Sequence, residues 1–295
     1  MRPRDLVDLL LLGAIWGGAF PLLRVAAPEF GPVALIGVRL AVAALVLLPL
    51  LKSRDGLRRH ARPLFVLGML NTAIPFTLFA YATLGVTAGT ASLLNATTPM
   101  FGAMLAYTVL GERLTGLQVF GIGLGFAGIA SIVWKEIGTH ADASALSIAA
   151  GLVGAALYGA AASYARRRLD GVDPMVVATG SVAGAALVMV PAAAFTWPQQ
   201  SPTGVAWASA VGLGLFCTAL AYVVYFRLMP RIGAARSVTV TFLIPVFGIL
   251  WGAALLAEPL TWTLLLGCAV VLAGTALAMG LRPGPSRRRP PTTAS

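Results

Sequence analysis

The chain has 295 residues, 58% of them hydrophobic and only 11% charged, with a mean hydropathy of +0.88. A soluble domain carries about 25% charged residues, so water is not the main solvent here and an ordinary soluble fold is excluded. The net charge of +11 does not point to nucleic acid, because the basic residues sit in short clusters between apolar runs, which is how topology is encoded in membrane proteins.

Ten apolar runs follow one another, at 6–26, 33–51, 63–84, 88–110, 115–134, 146–165, 174–196, 204–226, 233–256 and 261–281. A bilayer core of roughly 30 Å needs about 20 apolar residues per helix. The predicted fold class is therefore an all-α membrane protein of ten transmembrane helices. The first run follows Arg2 and Arg4 and imitates a signal peptide. It is long enough to span and has a counterpart later in the chain, so it is expected to belong to the mature fold. Most connections are short, which makes successive helices antiparallel neighbours. With the N-terminus in the cytoplasm, 18 of the 21 Lys and Arg residues fall on the cytoplasmic side, and only Arg24, Arg39 and Lys135 do not. Both termini are thus expected to be cytoplasmic. The Arg, Ala and Gly bias suggests a bacterial source, hence a multi-pass protein of the inner membrane. Residues 282–295 are rich in Pro and Arg and read as a disordered basic tail.

The two halves match. A shift of 142 lays Gly17 on Gly159, Arg24 on Arg166, Pro32 on Pro174 and Pro49 on Pro191. A shift of 146 lays Gly68 on Gly214, Thr72 on Thr218, Pro99 on Pro245, Glu112 on Glu258 and Gly128 on Gly274. The expected units are 1–138 and 139–281, each of five helices. An odd number of spans inverts the second unit relative to the first, a plan used by secondary transporters with the substrate site at the repeat interface.

Several polar or aromatic residues fall within the runs. Trp16, Phe20 and Tyr158 are candidate cavity aromatics, with helix packing as the alternative. Arg39 lies inside the second run, where an ionisable group is costly and usually faces protein or a water-filled cavity. Two roles stay open for it: capture of a substrate carboxylate, or snorkelling to the interface and bonding helix-end carbonyls. Arg24 lies nearer the outer interface, which favours snorkelling. Asn71 is a further polar candidate. Thr72, Phe76 and Phe79 share a face, and Thr218, Tyr222 and Tyr225 form its repeat counterpart. Ser92, Asn95 and Pro99 share another face, matched by Thr241, Pro245 and Gly248. Both prolines are expected near the middles of equivalent helices, where each frees a carbonyl. Glu112 and Glu258 end equivalent helices on opposite sides. Each is assigned a structural helix-turn role, accepting hydrogen bonds from the N–H groups that open the next helix, in preference to the alternative of a gating role, and Thr115 with Gln118 forms a capping-box pattern.

No carboxylate falls at the centre of a run, so a midplane proton relay of the kind found in many pumps is disfavoured. Paired carboxylates, a metal-ligand cluster and a His constellation are all missing. No enzyme, metal site or cofactor is expected. Cys217 and Cys268 lie in apolar runs and read as small core residues. Gly123-Leu124-Gly125-Phe126-Ala127-Gly128 spells a dinucleotide fingerprint but lies inside an apolar helix without a preceding strand. Close helix packing is the better reading.

Taken in order, Trp16-Gly17, Phe20 and Arg24, then Arg39-Leu40 and Ala43, then Pro99 with Phe101, then Gly111-Glu112-Arg113-Leu114-Thr115 resemble the drug/metabolite transporter superfamily, and within it the EamA-type exporters. The second half repeats the last pattern as Pro245, Phe247 and Glu258-Pro259-Leu260-Thr261. The resemblance covers nearly the whole chain. It implies ten helices in two repeats and export or exchange of amino acids or related small metabolites, without naming one. The second half departs at Ser181, where Arg39 would fall, and at Tyr158, where Trp16 would. The expected function is secondary transport by alternating access of the two repeats, with a small-molecule substrate and the lipid bilayer as partners. A channel-like or non-transporting membrane scaffold is the alternative.

Overall fold

A computed structural model of the chain describes residues 2–51, 54–137, 141–233 and 237–280. The tail at 282–295 and the boundary at 138/139 lie outside the described residues. Among the described residues the structure is helical, with no strand. Seven helices are long and apolar enough to cross a membrane. These are α1 (Pro3–Phe30), α2 (Pro32–Leu50), α3 (Ala61–Gly85), α6 (Gly116–Ile137), α7 (Ala141–Arg168), α8 (Pro174–Phe195) and α9 (Gly204–Ile232). The run at 88–110 forms two helices, α4 (Ala88–Asn95) and α5 (Thr98–Leu110). The last two runs form α10 (Val240–Leu256) and α11 (Trp262–Ala278), each of 17 residues.

The sequence explains the joints. Gly31 alone separates α1 from α2, at φ +73, a conformation open to glycine at no Cβ penalty. Pro32 then opens α2 at a position where no N–H is needed. The Thr115–Gln118 capping box forms, with Gln118 N donating to Thr115 Oγ1 at 3.3 Å and Thr115 N to Gln118 Oε1 at 2.9 Å.

The break between α4 and α5 corrects the expectation that Pro99 lies near the middle of one helix. Pro99 instead sits in the first turn of α5, where its missing donor costs nothing. The carbonyl of Ala96, freed by the break, accepts from Thr275 Oγ1 of α11 at 3.0 Å. Pro245 does lie inside α10, so the halves differ at this matched position.

The main helix pairings join the two halves: α1 with α10, α2 with α8, α3 and α5 with α7, and α6 with α11. Lipid offers no hydrophobic reward for helix association, so close backbone approach carries it. On α6, a Cβ on Gly121 would stand 2.5 Å from Leu277 Cβ and 2.8 Å from the Gly274 carbonyl. Gly128, the last residue of the apparent dinucleotide fingerprint, joins the same seam, where a Cβ on it would stand 3.1 Å from Val271 N.

One end of the bundle carries a cluster of aromatic contacts. Phe30 meets the rings of Trp207 and Trp197 edge-on at 5.0 and 5.9 Å, and Glu29 accepts from Thr203 N at 2.6 Å. We call this the Phe30 end. The other, where α7 finishes, is the Arg166 end.

Candidate functional site

Matched π-turns shape the centre. Both α3 and α9 change from α to π geometry, over Met69–Ala73 and Leu215–Leu220, positions that coincide under the shift of 146. Single π-turns inside α-helices often mark functional sites. Each is preceded by a glycine against another helix. A Cβ on Gly214 would stand 2.7 Å from the Arg39 carbonyl oxygen, and one on Gly68 would collide with the Ser181 carbonyl. α2 therefore lies against the π-turn of α9 at Arg39, and α8 against that of α3 at Ser181.

This contact delivers Arg39 to the interior. It is 4% exposed. Its Nε donates to Thr218 Oγ1 at 2.9 Å, and Thr218 in turn donates to the Leu213 carbonyl at 2.9 Å. The guanidinium carbon lies 3.6 Å from the Phe76 ring centroid, a cation–π stack. Snorkelling, one of the two roles open for Arg39, does not occur. Among the described residues Nη1 and Nη2 have no hydrogen-bond partner, and the buried unpartnered side-chain atoms are the hydroxyls of Thr98 and Thr179. The two free nitrogens therefore keep a little accessible surface. No carboxylate of the described residues comes within ion-pair distance of Arg39.

Aromatic side chains surround it. Tyr158, Tyr222 and Cys217 lie within electrostatic reach of the guanidinium. Phe79 stacks on Tyr158 at 5.8 Å and meets Phe20 edge-on at 5.9 Å. Trp16 leans on Tyr225 at 5.5 Å. Asn71 Nδ2 reaches the Tyr222 hydroxyl at 3.5 Å, the long limit of a hydrogen bond. Tyr158, Tyr222 and Trp16 each keep part of their surface uncovered although they lie deep in the bundle. The structure thus brings together Trp16, Phe20, Arg39, Asn71, Phe76, Tyr158 and Tyr222. It does not place Asn95, Pro99, Thr241 or Pro245 in contact with Arg39. Asn95 closes α4, Thr241 bonds its own helix through the Val238 carbonyl at 2.8 Å, and Pro245 is buried in α10.

Sequence reasoning read Thr218 as one cavity face and Cys217 as a plain core residue. It missed both as neighbours of Arg39. The available signal was the retention of a threonine, Thr72 and Thr218, by both halves at one repeat position.

The charged residues nearer the ends also pair. Arg24 Nε lies 3.2 Å from Glu258 Oε1, and Arg24 Nη1 donates to the carbonyls of Thr83 at 3.0 Å and Val86 at 2.6 Å. Glu258 accepts from the N–H groups of Ala88 at 2.8 Å and Gly89 at 3.2 Å. Glu258 was expected to cap the next helix, but it caps α4, across the fold. α11 is capped by its own Thr261. Arg166 Nη2 donates to Glu112 Oε1 at 2.8 Å. At the same end Arg231 pairs with Asp8 and, at 3.6 Å, with Asp5. Among the described residues no group of three or more His, Cys, Asp and Glu could hold a metal ion.

Comparison with known proteins agrees with this architecture. The EamA-like transporter family matches the chain twice, over residues 6–134 and 145–280. A relative described as "Probable terminal-alkyne amino-acid exporter", from Streptantibioticus cattleyicolor, is 31% identical over 275 residues, covering 91% of each chain. The uncharacterized transporter YvbV of Bacillus subtilis is 26% identical over 288 residues, covering 94% of this chain and 92% of its own. A solved crystal structure superposes with a TM-score of 0.64 over 95% of this chain and 98% of its own, at 19% identity, which shows a shared fold. Such relatives are transporters of the drug/metabolite transporter superfamily. Two family matches that together span nearly the whole chain place this multi-pass membrane protein in the EamA-like transporter family.

Proposed function

We propose that the protein is a secondary transporter that exports or exchanges amino acids or related small carboxylates by alternating access of two inverted five-helix repeats. In this reading ten helices are divided between residues 1–138 and 139–281, and both termini lie in the cytoplasm.

One observation carries the substrate class: Arg39 is a buried cation with no counter-ion among the described residues, and two of its nitrogens have no hydrogen-bond partner there. An uncompensated charge in a low-dielectric interior is costly. A substrate carboxylate meets that cost, because the fork of a guanidinium matches a carboxylate's two oxygens. The Phe76 stack and the Thr218 bond hold the fork in place. Trp16, Phe20, Phe79, Tyr158 and Tyr222 offer ring faces for an apolar side chain, and such faces also attract an ammonium. The amino-acid description of the Streptantibioticus relative supports the same class. Lack of a titratable carboxylate beside Arg39 among the described residues supports facilitated export or exchange over a midplane proton relay.

The test is flux in proteoliposomes across a panel of amino acids, keto acids and amines, with and without a pH gradient. Carboxylates should be carried and simple amines should not. Arg39→Ala should abolish carboxylate flux while the protein still elutes as a single folded species. Undiminished flux in that variant would remove Arg39 from recognition, and no flux of any compound in folded wild-type protein would sink the transporter reading.

A further inference from the structure

The two Arg–Glu pairs are related by the repeat. The shift of 142 carries Arg24 to Arg166, and the shift of 146 carries Glu112 to Glu258. Each pair joins an Arg of one half to a Glu of the other, Arg24 with Glu258 at 3.2 Å and Arg166 with Glu112 at 2.8 Å. They sit at opposite ends of the bundle. Beyond the pair itself, their surroundings differ.

At the Phe30 end the pair reaches across to other helices. Arg24 holds the last carbonyls of α3, and Glu258 holds the first N–H groups of α4. A cation on helix-end carbonyls and an anion on helix-start amides are each favourable against the helix dipole, and both are charge-assisted bonds. The Glu258 side chain is 11% exposed there. α1 packs along the second half of α3 and against α4.

At the Arg166 end the arginine has no equivalent reach among the described residues. The counterparts of Thr83 and Val86 are Met229 and Ile232, at the end of α9. Among the described residues Arg166 makes no bond to either. α7 does not pack closely against the last turns of α9; the counterparts of the first turn of α4, at 234–236, lie outside the described residues. The side chains of Arg166 and Glu112 are 63% and 50% exposed. A pair so exposed contributes about 0–1 kcal/mol, which leaves it free to take further partners.

Resting on the alternating-access reading above, we propose that Arg24 and Arg166 are reciprocal clasps. Arg24 with Glu258 locks the Phe30 end shut in the state seen here. Arg166 with Glu112 locks the opposite end in the alternate state, by taking the Met229 and Ile232 carbonyls as Arg24 takes those of Thr83 and Val86. Only one clasp can be complete at a time, because the completed contact draws α1 onto α3 or α7 onto α9, and these close opposite ends of one central cavity.

The experiment uses purified full-length protein in nanodiscs, so that both ends are open to reagent. A water-soluble maleimide labels a reporter cysteine, either Val86→Cys at the Phe30 end, where Val86 is 2% exposed, or Met229→Cys at the other. Background labelling is that of the buried Cys217 and Cys268. Arg24→Ala should speed labelling of Val86→Cys and slow that of Met229→Cys, each by about tenfold, since bonds to a charged group carry that much population shift. Arg166→Ala should leave Val86→Cys protected and should not slow Met229→Cys. Glu258→Gln, with a smaller effect of the same sign, serves where Arg24→Ala does not fold. A rise at Val86→Cys without a fall at Met229→Cys would make the contact a local helix cap, and equal effects of the two arginine substitutions would also overturn the proposal. Labelling needs no substrate. Reciprocal labelling with no flux would remove the proposed substrates but keep the clasps, and flux without reciprocity would do the opposite.

Discussion

At the scale of single residues, position and partner are separate questions. Arg39 was marked by its charge inside an apolar run. Whether it faced lipid headgroups or the interior depended on Thr218, 179 residues away, and on the ring of Phe76. No local pattern reports such a partner. Ala257 is a different case. It is the single non-glycine residue with positive φ among those described, at +53, and its repeat counterpart Gly111 has φ +71. A left-handed residue with a Cβ costs roughly 1–2 kcal/mol, and glycine would relieve it at some entropic cost in the unfolded chain. Ala257→Gly should therefore raise stability by about 0.5–1 kcal/mol, seen as a higher thermal midpoint of the purified protein. An unchanged or lower midpoint would show that the strain is already compensated by the Glu258 contacts beside it.

At the scale of helices, glycine spacing was legible and helix breaks were not. Gly121 and Gly128 lie at the α6–α11 seam as their spacing on an apolar helix suggested. Because a Cβ on Gly121 would sit 2.7 Å from Ala278 N, a larger residue must push the helices apart. Gly121→Leu should destabilise the protein by about 1–3 kcal/mol or more, read as a fall in thermal midpoint and in folded yield. Full stability in that variant would mean that the seam is loose. The break at Ala96–Thr97 lies just before Pro99, which has no N–H for the Asn95 carbonyl four residues back, but the sequence did not say that the helix would divide there. The freed Ala96 carbonyl is tolerated because Thr275 of α11 supplies a donor, and that supply exists only once the helices have assembled. The π-turns of α3 and α9 were not foreseen for the same reason. They are set by close backbone contact at Gly68 and Gly214 with neighbouring helices, and their composition resembles any other apolar stretch.

At the scale of the whole molecule, the proposed inverted arrangement makes a simple topological prediction. In intact cells an impermeant maleimide should label Gln199→Cys, which follows α8, but should not label Arg59→Cys or Asp170→Cys until the membrane is opened. Labelling of Asp170→Cys from outside would contradict cytoplasmic placement of the basic connections. The same symmetry makes sense of the charge pairs. Arg24, Arg166, Glu112 and Glu258 were each visible as charges kept by both halves, but the pairing between halves was not.

The sequence by itself determined the solvent, the helical class and the twofold repeat, because hydropathy, basic-residue bias and self-similarity are local or additive properties that survive without a fold. It also nominated most of the aromatic residues that surround Arg39. Only the tertiary structure decided that Arg39 turns inward, that the run at 88–110 divides before Pro99, and that Glu258 caps α4 instead of α11. Each of these depends on which other helix supplies a hydrogen bond or a ring face, and in a bundle whose main contacts join one half to the other, the hydrogen bonds concerned are made between residues more than a hundred positions apart.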